Sequence, residues 1–134
     1  MFFDQRITRL IPLSVIMASI FLISHQPGDS LTLPKFWQAD KLLHCIAYGG
    51  LGLAAMLSLS PEMRRTRIVM SAVTVVVFCM AYGISDEFHQ TFIPGRFASI
   101  FDVMADTVGG IGAVLCWYLF IERNVKQPVL SGKR

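Results

Sequence analysis

Four long runs of apolar residues alternate with short polar stretches along this chain of 134 residues. They cover about 7–24, 41–59, 68–84 and 102–121. A bilayer core is about 30 Å thick and a helix rises about 1.5 Å per residue, so roughly 20 apolar residues make one crossing. Each run is close to that length. Val73, Val75, Val76 and Val77 in the third run would suit a strand, yet its length and neighbours favour a helix. In lipid only helices and closed barrels satisfy every backbone group. The expected fold is an all-α membrane protein, a four-transmembrane-helix bundle that forms a single domain over residues 1–134.

The breaks between runs carry turn chemistry. Pro27-Gly28-Asp29-Ser30 and Pro34 mark the first loop, with an interfacial piece around Phe36-Trp37. Pro61 stops the second run, and a short basic link from Glu62 to Arg67 follows. Residues 85–101 read as a connection containing Pro94-Gly95, and a polar tail with Pro128 and Gly132 reads as frayed. Arg6 and Arg9 ahead of the first run would also suit a signal peptide. That run is long for one and no small-residue cleavage pattern follows it, so a retained span is expected.

Orientation follows from the basic residues, because short Lys- and Arg-rich loops stay in the cytoplasm. Arg6, Arg9, Arg64, Arg65, Arg67, Arg123, Lys126, Lys133 and Arg134 fall on one side, and Lys35, Lys41 and Arg96 on the other. Both termini are therefore expected in the cytoplasm of a bacterial cell, with the chain in its inner (cytoplasmic) membrane.

Composition agrees with lipid as the solvent: mean hydropathy is +0.56, with 54% hydrophobic and 16% charged residues. The net charge of +3 could suggest nucleic acid, but the basic residues form no stripe interleaved with aromatics, so no such partner is expected. Cys45, Cys79 and Cys116 each sit in an apolar run with no close spacing. They read as packing residues rather than a metal motif or disulfide framework.

The topology gathers the other ionisable residues on the outer half: His25, Asp29, Asp40, Lys41, His44, Asp86, Glu87, His89, Arg96, Asp102 and Asp106. Lys41, His44 and Tyr48 share one helical face at i, i+3 and i+7; Tyr82, Asp86 and Gln90 share another; Asp102 and Asp106 stack at i, i+4 above Gly110 and Ala113. A charge at the centre of a span costs about 2.5–3.5 kcal/mol on insertion scales, so such residues face the bundle interior and pair. Gly49, Gly52, Gly109, Gly110 and Gly112 suit close helix packing around them. Simpler uses stay open: Lys41 and Arg96 can snorkel to headgroups, Asp102 can cap its helix, and the set as a whole can be an ion-pair network fixing helix register.

In this order on successive spans, Asp40-Lys41-x-x-His44, Asp86-Glu87-Phe88-His89-Gln90 with Pro94-Gly95-Arg96, and Asp102 with Asp106-Thr107-x-Gly109 resemble the VanZ-like membrane proteins. That family takes its name from an accessory protein of teicoplanin (glycopeptide) resistance. The resemblance covers most of the chain after about residue 40, and Glu87, Gln90, Arg96 and Asp102 match its most characteristic positions. Several members carry Asn where this chain has Asp106. The resemblance implies an envelope membrane protein, in some members lowering glycopeptide susceptibility, and supplies no reaction.

The chemistry of the cluster suits an amphiphile entering from the outer leaflet, such as a lipid-linked phosphate, a cell-wall precursor or a glycopeptide. Lys41, Gln90, Arg96 and Asp102 are the expected ligand-binding residues, and Glu87, His44, His89 and Asp106 the candidates for acid/base work. A metal site is weighed but none is assigned, since His-Glu-x-x-His is absent and Asp86-Glu87-x-His89 reverses its order. No nucleophile elbow or phosphate-binding glycine loop is present. Three functions stay open: a non-catalytic binder of an envelope ligand, a membrane-embedded enzyme acting on an envelope lipid, and a structural partner of another membrane protein.

Overall fold

A computed structural model describes residues 2–30 and 39–122. The loop holding Pro34, Lys35, Phe36 and Trp37 lies outside the described residues, as do the tail with Arg123, Lys126, Lys133 and Arg134 and the side chains of Arg6 and Asp29. The described residues form α1 (Phe2–Ser24), α2 (Ala39–Ser58), the short α3 (Pro61–Thr66), α4 (Ile68–Gln90) and α5 (Ile100–Cys116), which runs on through a π-helical turn, Trp117–Ile121. Among them, four helices are long and apolar enough to cross a membrane: Ile7–Ser24, Ala39–Ser58, Ile68–Gln90 and Ile100–Ile121.

The chain is thus the helical membrane bundle its hydropathy predicts, with one difference. The third span continues past Ile84 to Gln90, so Ser85–Gln90, expected in a connection, are the last turns of α4. Polarity there signals a polar interior rather than a loop: Asp86, Glu87 and Gln90 are buried while Ile84 and Phe88 face outward. The outward apolar residues extend along α1 (Ile11, Val15, Leu22), α4 (Val69, Val73, Val77) and α5 (Met104, Val108, Leu115), which is the surface a lipid-solvated bundle presents.

The interior core contains Leu51, Met56, Val75, Cys79, Val114 and Trp117. The most extensive interface is α2 against α5, followed by α4 against α5, while α1 leans on α2 and touches α4 only lightly. Glycines set the first two contacts. A methyl group on Gly109 would collide with the backbone of Cys45 and Gly49, and one on Gly110 would lie 2.9 Å from the Cys79 Cβ. Association in lipid depends on packing rather than on a hydrophobic driving force, so this close approach is what holds α5 between its neighbours. Cys79 is buried, Cys45 half-buried and Cys116 exposed, all as free thiols.

One end of the bundle is clamped by α3. Pro61 opens that helix, and the Ser60 side chain caps it by accepting from the Met63 N–H. Arg64 Nη1 donates to the carbonyls of Met56 (2.8 Å), Leu57 (3.3 Å) and Leu59 (3.0 Å), closing the end of α2, and its guanidinium lies 4.7 Å over the Trp117 ring. Glu122 accepts from Arg65 Nε at 2.8 Å and from Trp117 Nε1 at 3.0 Å. Burial works to raise this carboxyl, but those two hydrogen bonds outweigh it and hold Glu122 below the usual carboxylate range.

Two predictions follow from these contacts. Gly109→Ala forces overlap with backbone and is expected to lower stability by about 1–3 kcal/mol, whereas Gly112→Ala, with open space around it, leaves it unlowered; thermal unfolding in detergent followed by circular dichroism reads both. Because the folded pKa of Glu122 is depressed, its contribution is complete above the unfolded value near 4.5 and fades as pH falls through the folded value. Glu122→Gln should therefore destabilise the protein at pH 7 and progressively less below about pH 4.5.

Candidate functional site

The opposite end collects the C-termini of α1 and α4 and the N-termini of α2 and α5. Acids at the starts of α2 and α5 meet the positive ends of those helices, and a cation after α4 meets the negative end of α1. Asp40 and Lys41 open α2, Asp102 lies in the first turn of α5, and Arg96 reaches back to α1.

Two charge-assisted contacts tie α2 to α5. Lys41 Nζ donates to Asp40 Oδ2 at 2.7 Å and to Asp102 Oδ1 at 2.6 Å. One turn deeper, His44 Nδ1 lies 2.9 Å from Asp106 Oδ1. The Asp106 side chain is 0% exposed, and its Oδ2 rests against Gly83 of α4, where a side-chain Cβ would come within 2.5 Å of it. Only glycine at 83 leaves room for that carboxylate between the helices.

Along the last turns of α4, Gln90 Nε2 donates to Asp86 Oδ2 (3.0 Å) and Glu87 Oε1 (3.3 Å), so one amide holds two carboxylates apart. The Ser24 hydroxyl donates to the same Asp86 oxygen at 2.7 Å, joining α1 to α4. Glu87 Oε2 accepts the Ser99 N–H at 2.7 Å, which satisfies the backbone where α5 begins. Asp102 is turned to Lys41, so it serves as an ion-pair partner at this end of α5.

The Pro94–Arg96 turn straps α1 to this end. Gly95 adopts φ 75, the left-handed conformation that favours glycine. The Gly28 N–H donates to the Pro94 carbonyl at 3.0 Å. Arg96 reaches the carbonyls of Ile23 (3.3 Å) and Gln26 (3.4 Å); both contacts are long, so much of the guanidinium's donor capacity is uncommitted.

A cavity of about 300 Å³ lies between α1 and α2 with α4 as its floor. Ile20, Ile23, Leu43, Ile46 and Ala47 make its apolar part, and Asp40, His44, Asp86, Gln90 and Arg96 its polar head. Three of its lining residues, Ile23, Leu43 and Ile46, are exposed within the segments long and apolar enough to span a membrane. Tyr48 also lines it; this residue is 1% exposed and its hydroxyl has no partner among the described residues.

Most of the residues anticipated from the sequence therefore converge: Lys41 with Asp102, His44 with Asp106 and Gln90 with Glu87 form three bonded sets at one end of the bundle, where ligand atoms of His44, Glu87 and Asp102 lie within 4.8 Å of one another, and Arg96 lines the cavity beside them. His89 does not join the His44 group. Its ring sits 3.2 Å from His25 Nδ1 and packs on Phe21, at the outer flank where α1 ends. Ser24 and Asp86 were not among the candidate site residues. Asp86 shares a face with Gln90 and Tyr82, which signalled it, whereas nothing in the local pattern of α1 marks Ser24.

The sequence matches the VanZ/LLP1 family over residues 2–121. The chain belongs to the VanZ/LLP1 family. Its membership covers all four spans and both ends of the bundle, including the sets just described. No curated protein and no solved structure matches it.

The His44–Asp106 contact between α2 and α5 and the Lys41–Asp40 pair within α2 are unequal in energy. His44→Ala strands the fully buried Asp106 carboxylate and is expected to cost about 3–5 kcal/mol, as for removing one partner of a buried pair. Asp40→Ala, at a carboxylate 44% exposed, should cost less than about 1 kcal/mol. Thermal unfolding of the two variants beside the parent measures the difference.

Proposed function

We propose that this VanZ/LLP1 protein binds an anionic, lipid-linked amphiphile of the cell envelope, taken sideways from the outer leaflet. The observation that carries this reading is the cavity between α1 and α2: apolar where it meets lipid and polar at one end, it matches an amphiphile with its head beside Arg96 and His44. The planar guanidinium of Arg96, held only by long hydrogen bonds, is the group suited to a phosphate or carboxylate. Arg9, Arg64, Arg65 and Arg67 at the far end support placing the polar head at the extracytoplasmic face, with both termini inside.

One observation favours a second reading, acid/base turnover of the bound lipid. Asp106 holds His44 by Nδ1, so the ring's other nitrogen is free to exchange a proton. Glu87, buried nearby, is the alternative base.

Native mass spectrometry of the protein with a polyprenyl phosphate and with the neutral polyprenol tests the binding reading. The phosphate is expected to bind at least tenfold more tightly than the alcohol, about 1.4 kcal/mol. Arg96→Lys and Arg96→Ala, checked for retained helicity, should each remove most of that preference. Equal binding of the two lipids contradicts the proposal. In cells, loss of the protein should change teicoplanin susceptibility, and Arg96→Ala should fail to restore it. Consumption of the bound lipid by the parent, abolished in folded His44→Ala or Glu87→Gln, would establish turnover.

A further inference from the structure

The charges at the polar end pose a problem for an anionic ligand. Among the described residues, this end holds five acids, Asp40, Asp86, Glu87, Asp102 and Asp106, against two permanent cations, Lys41 and Arg96, and Lys41 is already shared by two carboxylates. A phosphate brought here meets excess negative charge in a medium of low dielectric constant, where repulsion is poorly screened.

Three of the side chains are arranged to correct this. His44, Glu87 and Asp102 each present one ligand atom, and the three atoms lie within 4.8 Å of one another. Ligand atoms around a single small divalent cation, with bonds of about 2.0–2.2 Å, lie at most about 4.4 Å apart, so the group closes on one ion if the side chains draw in by up to about an ångström. The residues come from α2, α4 and α5, so the bundle itself fixes their spacing.

Each of the three is also oriented from behind. Asp106 holds His44 through Nδ1, which leaves the other ring nitrogen as the one available to a ligand. Ser99 N–H and Gln90 hold the two oxygens of Glu87, and Lys41 holds Asp102 by Oδ1, leaving Oδ2 open. A carboxylate buried behind a histidine is the arrangement that fixes ring orientation at metal sites and raises ligand basicity. Tyr48, one turn below His44, lines the cavity that His44 also lines, and its buried hydroxyl has no hydrogen-bond partner among the described residues.

We propose that His44, Glu87 and Asp102 bind one divalent cation, with Asp106 as the residue that positions His44. One imidazole and two carboxylates suit Mn²⁺ or Zn²⁺, and three protein ligands leave coordination positions open. His44 belongs both to this group and to the cavity lining, so the group lies beside the cavity's polar head. The ion's part in holding an anionic head rests on the amphiphile reading above; its binding does not.

The test uses the full chain in a neutral glycoside detergent, stripped with chelator and titrated with Mn²⁺ alone under electron paramagnetic resonance. One saturable site is expected, with pulsed-resonance coupling to an imidazole nitrogen. His44→Ala should abolish that coupling, and His44→Ala, Glu87→Gln and Asp102→Asn should each weaken binding more than tenfold. Asp106→Asn should weaken it about 10–100-fold, the usual effect of losing such a supporting partner. Glu62→Gln, at the exposed opposite end, should leave it unchanged. Where a variant loses helicity, the parent's isotherm and nitrogen coupling decide. Absence of a saturable site in the parent, absence of nitrogen coupling, or unchanged affinity in folded Glu87→Gln and Asp102→Asn overturns the proposal. Polyprenyl phosphate binding without Mn²⁺ binding refutes the ion alone, and Mn²⁺ binding without lipid preference refutes the amphiphile reading alone.

Discussion

The structure depends on one constraint: a carboxylate placed inside a lipid-solvated bundle must find its partners within the protein. Asp106 states it most sharply. It is fully buried between α2, α4 and α5, where His44 meets one oxygen and Gly83 makes room for the other, which has no hydrogen-bond partner among the described residues. That requirement fixes the register of α5 against both neighbours at the level where the glycine contacts of Gly109 and Gly110 also demand it. Charge pairing and close packing are thus two expressions of one helix alignment.

The same constraint explains why the two ends differ. At the α3 end one acid is buried among the described residues, Glu122, and it is enclosed by Arg64, Arg65 and Trp117. At the other end the acids outnumber the cations and a cavity opens beside them. A purely structural network gains nothing from such an excess, because uncompensated charge in low dielectric is costly. Among the described residues this imbalance, with the cavity beside it, supports the binding reading proposed for this end.

Much of this was legible in the sequence. Run length located four spans, and helical spacing put Lys41 with His44 and Asp102 with Asp106, the faces that meet across α2 and α5. The end of the third span was misplaced because Asp86, Glu87 and Gln90 look like loop residues until a neighbouring helix supplies their partners. Ser24 pairing with Asp86, Arg96 folding back onto the carbonyls of α1, and Glu122 joining Arg65 all join residues far apart in the chain. No periodicity within one helix encodes them. The cavity is a similar case, since it arises from how loosely α1 leans on α2 and α4.

The central claim is that an amphiphile enters this cavity from the lipid with its charged head at the polar end. Ala47, which lines the cavity, provides the most direct test: Ala47→Cys in a variant with Cys45, Cys79 and Cys116 replaced by Ala, labelled in nanodiscs by a lipid-soluble maleimide. The account predicts that labelling proceeds and is slowed at least fivefold by polyprenyl phosphate but not by an equal amount of the neutral polyprenol. Labelling that neither lipid slows would contradict it.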